Sequence, residues 1–480
     1  MLFVTGQFLL FFLIVLVIHW SLPPRFRVWF LTAASLYFYA SWNLLFTLHF
    51  VTVIGINWTV IELWRTFRKN WIFYSLQVGN VLNLAFFKYF YFGADIIGRL
   101  TGLSWLSQPT LFESHRMLGH EILLPLAISF YTFQIMSYGF DIFREKYTEK
   151  NSLLEVLLFK AFFPQLIAGP IMRSHELLPQ IRRAWTEGLP LDENAFYKGL
   201  WLCIIGIVKK VFLADQLTVF LSPIMAASDP GIYHPVYLWL TPIVFVAMVY
   251  ADFSAYSDLA RGFGLLMGFQ VPVNFKAPLF MISVSDFWRR WHITLSLWLR
   301  DYVYIAMGGN RVSNARIYLN FIVTFFLGGL WHGAAYTFVV WGTMVGVMLS
   351  LEAFAVSKGI PEWPSAWWSR GLRLLVAHLM FWPSTIFFMA PSWSWSIQAL
   401  PGMFNLRQWL DVTRATPAHL ETVAYCAAGI LFFHLFDEFH GRLGFIRRFE
   451  KWLIPLVSIA MIIGLSQFTG GQKDFFYFQF

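Results

Sequence analysis

The chain has 480 residues, of which 58% are apolar and only 13% are charged. A soluble globular protein carries roughly 25% charged and 45–50% apolar residues, so this composition excludes an ordinary soluble domain and indicates an integral membrane protein. The net charge of +9 comes from Lys and Arg in short segments between apolar runs. There they report membrane topology and contact with lipid headgroups, and they do not indicate nucleic-acid binding.

Apolar runs that approach the length of a membrane-spanning helix recur along the whole chain. Such a helix needs about 20 apolar residues, and several of these runs contain Gly, Pro or charge. We therefore predict an all-α polytopic membrane protein with roughly ten to twelve spanning helices, plus re-entrant and amphipathic helices. The runs lie at 2–20, 28–50, 50–63, 71–98, 120–140, 153–169, 197–222, 236–251, 316–331, 334–356, 374–392, 421–437 and 452–468.

Basic residues between the runs predict the orientation of the chain. Lys and Arg concentrate in cytoplasmic loops, and here they cluster at 25–27, 65–69, 144–150, 173–183 and 447–451. The loops 101–119 and 222–235 carry only Arg116 between them, so they are predicted to face outward. We expect a membrane domain over 1–469, followed by an aromatic tail, 470–480, on the extracytoplasmic side.

The apolar segment 151–183 is interrupted by Pro164, Gly169, Pro170 and Pro179. Irregular backbone at membrane depth is tolerated only where protein or a water-filled cavity covers it. The pattern fits a re-entrant element that lines a site and, equally, a pair of helices joined by a tight turn.

The segment 252–280 begins with polar residues directly after an apolar run. These residues are Asp252, Ser254, Tyr256, Ser257, Asp258 and Arg261. We expect a loop packed on the cytoplasmic face rather than an element that takes a direct part in catalysis.

A charged and aromatic segment begins at Ser283. Ser283 and Asp286, three residues apart, resemble a helix-capping box, and Asp286 and Arg290 have the spacing of a favourable i,i+4 ion pair. Apolar side chains then recur at helical spacing at Phe287, Trp291, Leu295, Trp298 and Tyr302. The spacing predicts one amphipathic helix in the plane of the membrane interface, with its polar residues on the opposite face.

His292 lies at the border of the two faces of this predicted helix, one turn before Ser296. A packing role at the interface and a functional role both fit this position. Arg289, Arg290 and Arg300 have the fork geometry that matches phosphate, whether the phosphate belongs to a lipid or to a cofactor.

His332 lies in the apolar stretch LGGLWHGAAYTFVVWGTMVG, residues 327–346. An ionisable side chain in such a run is costly, and it is therefore a candidate functional residue by default. The small residues around it leave room for a substrate or for another backbone. An imidazole can take a proton from a hydroxyl nucleophile, and a packing histidine bonded to a carbonyl is the alternative.

Metal and hydrolase motifs are weak or missing in this sequence. His434, Asp437, Glu438 and His440 are of metal-ligand types, but they lack the HExxH spacing. They follow a predicted span, which favours a solvated helix end and no metal site. No GxSxG elbow and no Walker loop is present.

Two long motifs resemble the membrane-bound O-acyltransferase superfamily: DFWRRWHITLSLWLRDYVYIAMGGNR (286–311) and GGLWHGAAYTFVVWG (328–342). Within the superfamily, the chain is similar to the bacterial branch that O-acetylates alginate, peptidoglycan or cellulose. Further pieces of the resemblance lie at 122–144, 162–173, 208–217 and 252–269, whereas 357–450 matches least, and the core of the motif region is 252–346. The resemblance implies a helical ring around a central tunnel.

The resemblance also implies the chemistry and the residues that carry it. Such enzymes take an acyl group from a cytoplasmic thioester, here acetyl-CoA, and pass it outward without a metal. His332 is then the catalytic base and His292 has a supporting role. We expect the pocket and the donor to be contacted by Trp331, Ser296, Arg289, Arg290 and Lys276.

The tail FFYFQF (475–480) matches an aromatic motif whose tyrosine can receive the acyl group in related systems, which makes Tyr477 a candidate acyl carrier. An interfacial anchor is the alternative role for Tyr477. The resemblance further implies a bacterial inner-membrane location and a periplasmic, serine esterase-like acetyltransferase that modifies the polysaccharide acceptor.

Three other functions fit parts of the sequence. One is transfer of a different acyl group, such as D-alanine, from a carrier-protein thioester to teichoic acid. Another is a polysaccharide transporter or flippase, since many spans and broken helices fit that class too, although no inverted repeat is visible. A structural subunit of a polysaccharide export complex is the third.

Overall fold

A computed structural model describes most of the chain and shows it to be mainly helical. Within the described part, one antiparallel pair of two-residue strands, Arg116–Met117 and His120–Glu121, accompanies the helices. Tyr477 and the predicted tail 470–480 lie outside the described residues. The structure describes residues 3–103, 116–117, 120–121, 124–359, 366–411, 413 and 416–439.

Contacts divide the chain into two units. The first contains the residues up to Phe196 together with Phe263–Val271, and the second contains Tyr197–Gly262 and the chain from Pro272 onward. The helices of the first unit are α1 (Gly6–Ser21), α2 (Pro24–Ala40), α3 (Leu44–Phe67), α4 (Asn70–Thr101), α5 (Ile128–Phe143), α6 (Leu153–Ala161), α7 (Phe163–Leu166) and α8 (Ser174–Thr186).

Helix α1 shows how the first unit divides its apolar side chains between core and surface. Phe8 packs in the core against Phe38 and Phe263, with ring centroids 5.7 and 5.1 Å away. Leu10 and Val17 on the other side of the same helix are 62% and 66% exposed. A surface helix in water would carry polar residues on that side, so this face suits lipid.

The segment 151–183 is broken, as the sequence predicts. Helix α6 has nine residues, too few to cross a membrane. Its end at Phe162 precedes the single turn α7, and residues 167–173 are not helical. A Cβ at Gly169 would lie 2.4 Å from Gln165 Cα, so glycine is required in this turn. The break is covered by protein, and its depth in a membrane stays a prediction.

The second unit contains the remaining helices. Those that lie wholly or mostly in it are α9 (Glu193–Val208), α10 (Asp215–Ala226), α11 (Pro235–Leu266), α12 (Val284–Arg290), α13 (Ile293–Leu299), α14 (Asn314–His332), α15 (Tyr336–Ser357), α16 (Trp367–Met389), α17 (Trp393–Phe404), α18 (Leu406–Trp409) and α19 (Leu420–Phe439). A π-helical segment, Lys209–Ala214, joins α9 to α10, and another, Arg300–Tyr304, follows α13.

Five described helices, α3, α11, α15, α16 and α19, are long and apolar enough to cross a membrane. The prediction of a helical, multi-pass membrane protein is therefore confirmed. The count of roughly ten to twelve spans, the helical ring and the central tunnel stay predictions.

The expectation of a loop from Asp252 is wrong for the first half of 252–280, because α11 continues without interruption to Leu266. Two of its carboxylates, those of Asp252 and Asp258, are paired with lysines inside the second unit. Lys210 Nζ lies 2.9 Å from Asp252 Oδ1 and 2.8 Å from Asp215 Oδ1. Lys209 Nζ lies 2.8 Å from an oxygen of Asp258. Burial of an unpaired charge is costly, whereas a paired charge can be buried. These ion pairs therefore allow α11 to continue through its charged residues inside the protein.

The prediction of one amphipathic helix from Ser283 to Tyr302 is also wrong. The chain forms α12 and α13, separated by an extended Trp291 and by His292 in the left-handed region, with φ 41° and ψ 52°. Asn274 provides the reason, because its backbone carbonyl oxygen accepts a hydrogen bond from the N–H of Ile293 at 2.9 Å. This N–H cannot then continue a single helix.

Other features of that segment are confirmed. Ser283 Oγ accepts the N–H of Asp286 at 3.0 Å, and Arg290 pairs with Asp286 at 3.1 Å. The aromatic side chains do not lie in a lipid interface, however, since Phe287 and Trp298 are buried within the protein.

The expectation of a solvated helix end at His434 is wrong. His434 is buried in α19, where its Nε2 accepts the N–H of Leu279 at 3.0 Å and its Nδ1–H donates to the carbonyl of Ile430 at 2.9 Å. His440 lies outside the described residues. Within the described residues, no group of three His, Cys, Asp or Glu side chains could hold a metal ion.

Candidate active site

His332 is the last residue of α14, and Gly333 after it has extended backbone. The chain then turns into α15, which packs back along α14. A Cβ at Gly329 would lie 2.2 Å from the carbonyl oxygen of Phe338, and a Cβ at Gly342 would lie 2.2 Å from that of Phe325. The room that the small residues leave is thus used by the neighbouring backbone, and this close contact positions His332.

The imidazole of His332 is surrounded by aromatic rings and is only 5% exposed. Its ring centroid lies 4.9 Å from that of Trp331, 5.4 Å from Trp341 and 4.9 Å from Phe388. These rings exclude bulk water from the imidazole, so a reaction at His332 would take place in a medium of low polarity.

A cavity of about 30 Å³ adjoins His332. Among the residues described as lining it, His332 is the only ionisable one, and the others are neutral. They are Phe245, Val246 and Val249 of α11, Phe287 and Trp288 of α12, Trp291, Trp341 of α15, and Phe381, Thr385 and Phe388 of α16. The cavity therefore offers one proton acceptor inside an uncharged, mostly aromatic wall.

His292 is fully buried and is held by Asn274. Its Nδ1 lies 3.3 Å from Asn274 Oδ1, which also accepts from Thr294 N at 3.2 Å and Thr294 Oγ1 at 2.9 Å. An amide oxygen only accepts hydrogen bonds, so in this arrangement Nδ1 carries the proton of the neutral ring. Burial lowers the pKa of His292 from its usual 6.5 to about 3, which keeps the ring neutral near pH 7.

The structure brings the two predicted histidines together with Trp331 between them. The ring centroid of Trp331 is 5.7 Å from His292 and 4.9 Å from His332. Neither His292 nor Trp331 is among the residues described as lining the cavity. Contact of either residue with a substrate stays a prediction. In the structure, His292 packs on Trp331, and Trp331 packs on His332.

The three basic residues predicted to guide the donor also lie together. The backbone N–H of Lys276 donates to the carbonyl of Arg290 at 2.9 Å. The Arg290 guanidinium is engaged by Asp286 at 3.1 Å and by Glu438 at 3.2 Å, so it anchors α12 to α19. Lys276 and Arg289 have exposed side chains.

Ser296 is directed toward the backbone of the break between α12 and α13. Its Oγ donates to the carbonyl of Trp291 at 3.2 Å, and its N–H donates to the carbonyl of His292 at 3.0 Å. Because Trp291 lines the cavity, Ser296 supports the wall of the site. Its predicted contact with a substrate stays a prediction.

Two groups of site residues were missed by the sequence analysis. Asn274 is a polar residue within the apolar stretch VPVNF, but its partner His292 lies 18 residues further on, so no local spacing links them. Phe381, Thr385 and Phe388 come from the part of the chain with the weakest motif resemblance. No local signal points from these residues to His332.

A family model described as MBOAT, membrane-bound O-acyltransferase family, matches residues 34–357. The chain belongs to this family. The match includes both predicted histidines and the α14–α15 turn, and it confirms the resemblance in the sequence. Membership of this family makes the chain an acyltransferase and a multi-pass membrane protein.

Three relatives illustrate the activities named for similar proteins. The chain is 34% identical over 446 residues to a probable alginate O-acetylase of Azotobacter vinelandii, which covers 90% of this chain and 84% of the relative. It is 33% identical over 420 residues to a peptidoglycan O-acetyltransferase of Helicobacter pylori, and the match covers 80% of this chain and 75% of the relative. It is 28% identical over 270 residues to a teichoic acid D-alanyltransferase of Bacillus subtilis, and the match covers 54% of this chain and 66% of the relative.

Proposed function

We propose that this acyltransferase takes an acetyl group from cytoplasmic acetyl-CoA and passes it across the bacterial inner membrane for O-acetylation of a polysaccharide. Alginate, peptidoglycan and cellulose are the candidate acceptors. The observation that carries the proposal is the position of His332 beside a small cavity whose other described lining residues are uncharged. The O-acetylating relatives support the same activity.

The cavity favours acetyl over D-alanyl transfer. A D-alanyl group carries an ammonium ion, and a buried charge is costly unless an opposite charge pairs with it. The described lining of the cavity contains no carboxylate. An acetyl group is neutral and carries no such cost.

In the proposed reaction, His332 is the general base. A hydroxyl oxygen attacks the carbonyl carbon of the thioester while His332 takes its proton. The C–O bond forms, the C–S bond breaks, and the proton passes from His332 to the CoA thiolate. The carbonyl-rich end of α14 supports this role, because the C-terminal end of a helix favours a positive charge.

His292 and Trp331 act in this scheme as positioning residues. Asn274 holds His292 in one tautomer, His292 packs on Trp331, and Trp331 packs on His332. Lys276 and Arg289 are the exposed cations near Trp291 and would contact the phosphates of CoA, while Arg290 holds the helix on which Arg289 lies.

Tyr477 of the aromatic tail, 470–480, is the proposed hydroxyl that receives the acetyl group on the extracytoplasmic side. A periplasmic serine esterase-like acetyltransferase would then transfer it to the glycan. Tyr477→Phe keeps the ring and deletes the hydroxyl, so it separates a carrier from an interfacial anchor. Normal glycan acetylation by this variant would assign Tyr477 the anchor role.

The central test is His332→Ala in purified protein supplied with labelled acetyl-CoA. Loss of a positioned general base reduces the rate about 10²–10⁴-fold, measured as CoA released. The matched control is His378→Gln, which changes a half-buried histidine of α16 that is not among the described lining residues. If His332→Ala releases CoA within a few-fold of the unaltered enzyme, His332 is not the base.

A further inference from the structure

One wall of the cavity beside His332 is formed by a single strip of α11. Phe245, Val246 and Val249 all line the cavity, and they are 1%, 5% and 3% exposed. Residues four apart on a helix lie on the same face, so Val249 lies one turn along from Phe245. Val246 and Val249 are the only aliphatic side chains among the described lining residues.

The facing wall consists of rings that brace one another. Phe388 contacts both His332 and Trp341, with centroids 4.9 and 4.7 Å away, and it also lies 6.0 Å from Phe245. Close-packed rings of this kind do not yield to an added group without strain, and extra methylenes in a packed core typically cost about 1–3 kcal/mol. The cavity therefore has little freedom to expand toward α16.

The volume limits what can occupy the cavity. A cavity needs roughly 10–15 Å³ to hold one water molecule, and this one has about 30 Å³. That space suits a short acyl group better than a long one, because the added methylenes of a long chain would press on the surrounding side chains.

We propose that Val246 and Val249 are specificity-determining residues that restrict this enzyme to short acyl donors. The inference rests on the proposed function, since it assumes that the acyl group of a CoA thioester reaches the cavity beside His332. It goes further because it assigns the length limit to two side chains of α11.

The test compares acetyl-CoA, propionyl-CoA and butyryl-CoA as donors for the unaltered enzyme, Val249→Ala and Val246→Ala. The readout is the ratio of kcat/KM for butyryl-CoA to kcat/KM for acetyl-CoA within each protein, so differences in folded fraction cancel. One methylene in an apolar pocket is worth about 10–200-fold in discrimination. We expect each alanine variant to raise the ratio at least about tenfold.

Val244→Ala is the matched control. Val244 lies on the same helix, is 3% exposed and is not among the described lining residues. This substitution removes the same two methyl groups from the same kind of buried site. We expect its butyryl-to-acetyl ratio to equal that of the unaltered enzyme.

Val249→Ile provides the opposite change, because it adds one methyl group to the wall and is expected to lower the propionyl-to-acetyl ratio. Two results would overturn the inference: an unchanged ratio in both alanine variants, or an equal rise in the Val244→Ala control. If the unaltered enzyme uses none of the acyl-CoA donors, the proposed donor itself is wrong, and the inference fails with it. An active enzyme with unshifted ratios defeats only the assignment of the valines.

Discussion

Gly329→Ala should separate the two helices that hold His332. The new Cβ would lie 2.2 Å from the carbonyl oxygen of Phe338 and 3.2 Å from Gly342 Cα, and both are backbone atoms. Ordinary contact begins at 3.4 Å, so α14 and α15 would have to move apart by about 1.2 Å at this point.

The expected cost has two parts. Overpacking of a well-packed contact typically destabilises a protein by about 1–3 kcal/mol. In addition, His332 lies three residues beyond Gly329, within one helical turn, and a misplacement of about 1 Å at a catalytic group can cost about 10²-fold in rate. We therefore expect lower stability and a large loss of activity in the protein that still folds.

Gly328→Ala is the control for this prediction. A Cβ at Gly328 would meet only Leu299 Cδ1, at an ordinary distance of 3.4 Å. Both substitutions gain similarly in helix propensity, so the difference between them reports the interhelical contact. The assay measures unfolding temperature in detergent and CoA release from acetyl-CoA. Equal stability and equal activity of the two variants would refute this account of the α14–α15 contact.

Three further predictions concern the buried polar groups of the second unit. Lys210→Met leaves the carboxylate of Asp252 buried without its cation and should cost about 3–5 kcal/mol; unfolding in denaturant checks this, and adding Asp252→Asn should recover part of the loss. Asn274→Ala removes the acceptor of the His292 Nδ1–H, so kcat should fall while KM for the acyl donor changes little; a raised KM at constant kcat would contradict a positioning role. Burial lowers the pKa of His292 from 6.5 to about 3, so between these two pH values the unfolded chain binds a proton on this imidazole and the folded chain does not. The free energy of unfolding should therefore fall as the pH drops below about 6.5, by at most about 1.4 kcal/mol per pH unit. His292→Asn should show a shallower decline of unfolding temperature between pH 7.5 and pH 5, and an identical decline would rule out this contribution of His292.

The sequence by itself determined the membrane character, the helical class and the family, and it predicted His332 as the catalytic base. Composition and apolar runs decide the membrane character and the helical class, because lipid requires long apolar helices. The family follows from the resemblance of two long motifs, 286–311 and 328–342, and His332 is a candidate because an ionisable residue is rare within an apolar run. Local signals were also sufficient for the cap at Ser283 and for the Asp286–Arg290 pair, since both depend on residues three or four positions apart.

Only the tertiary structure decided where the continuous patterns break and what surrounds His332. The periodicity from Phe287 to Tyr302 is helical, yet Asn274 takes the N–H of Ile293 and the helix divides at His292. The polar start of 252–280 predicts a loop, yet Lys210 pairs with Asp252 and the helix continues.

The cavity beside His332 depends on contacts of the same long-range kind. Its walls join α11, α12, α15 and α16, which are separated by up to 143 positions between Phe245 and Phe388. Periodicity describes which face of a helix is apolar, but it carries no information about which distant face that helix will meet. For this protein, the sequence identified the histidine, and packing between distant helices formed the cavity in which it lies.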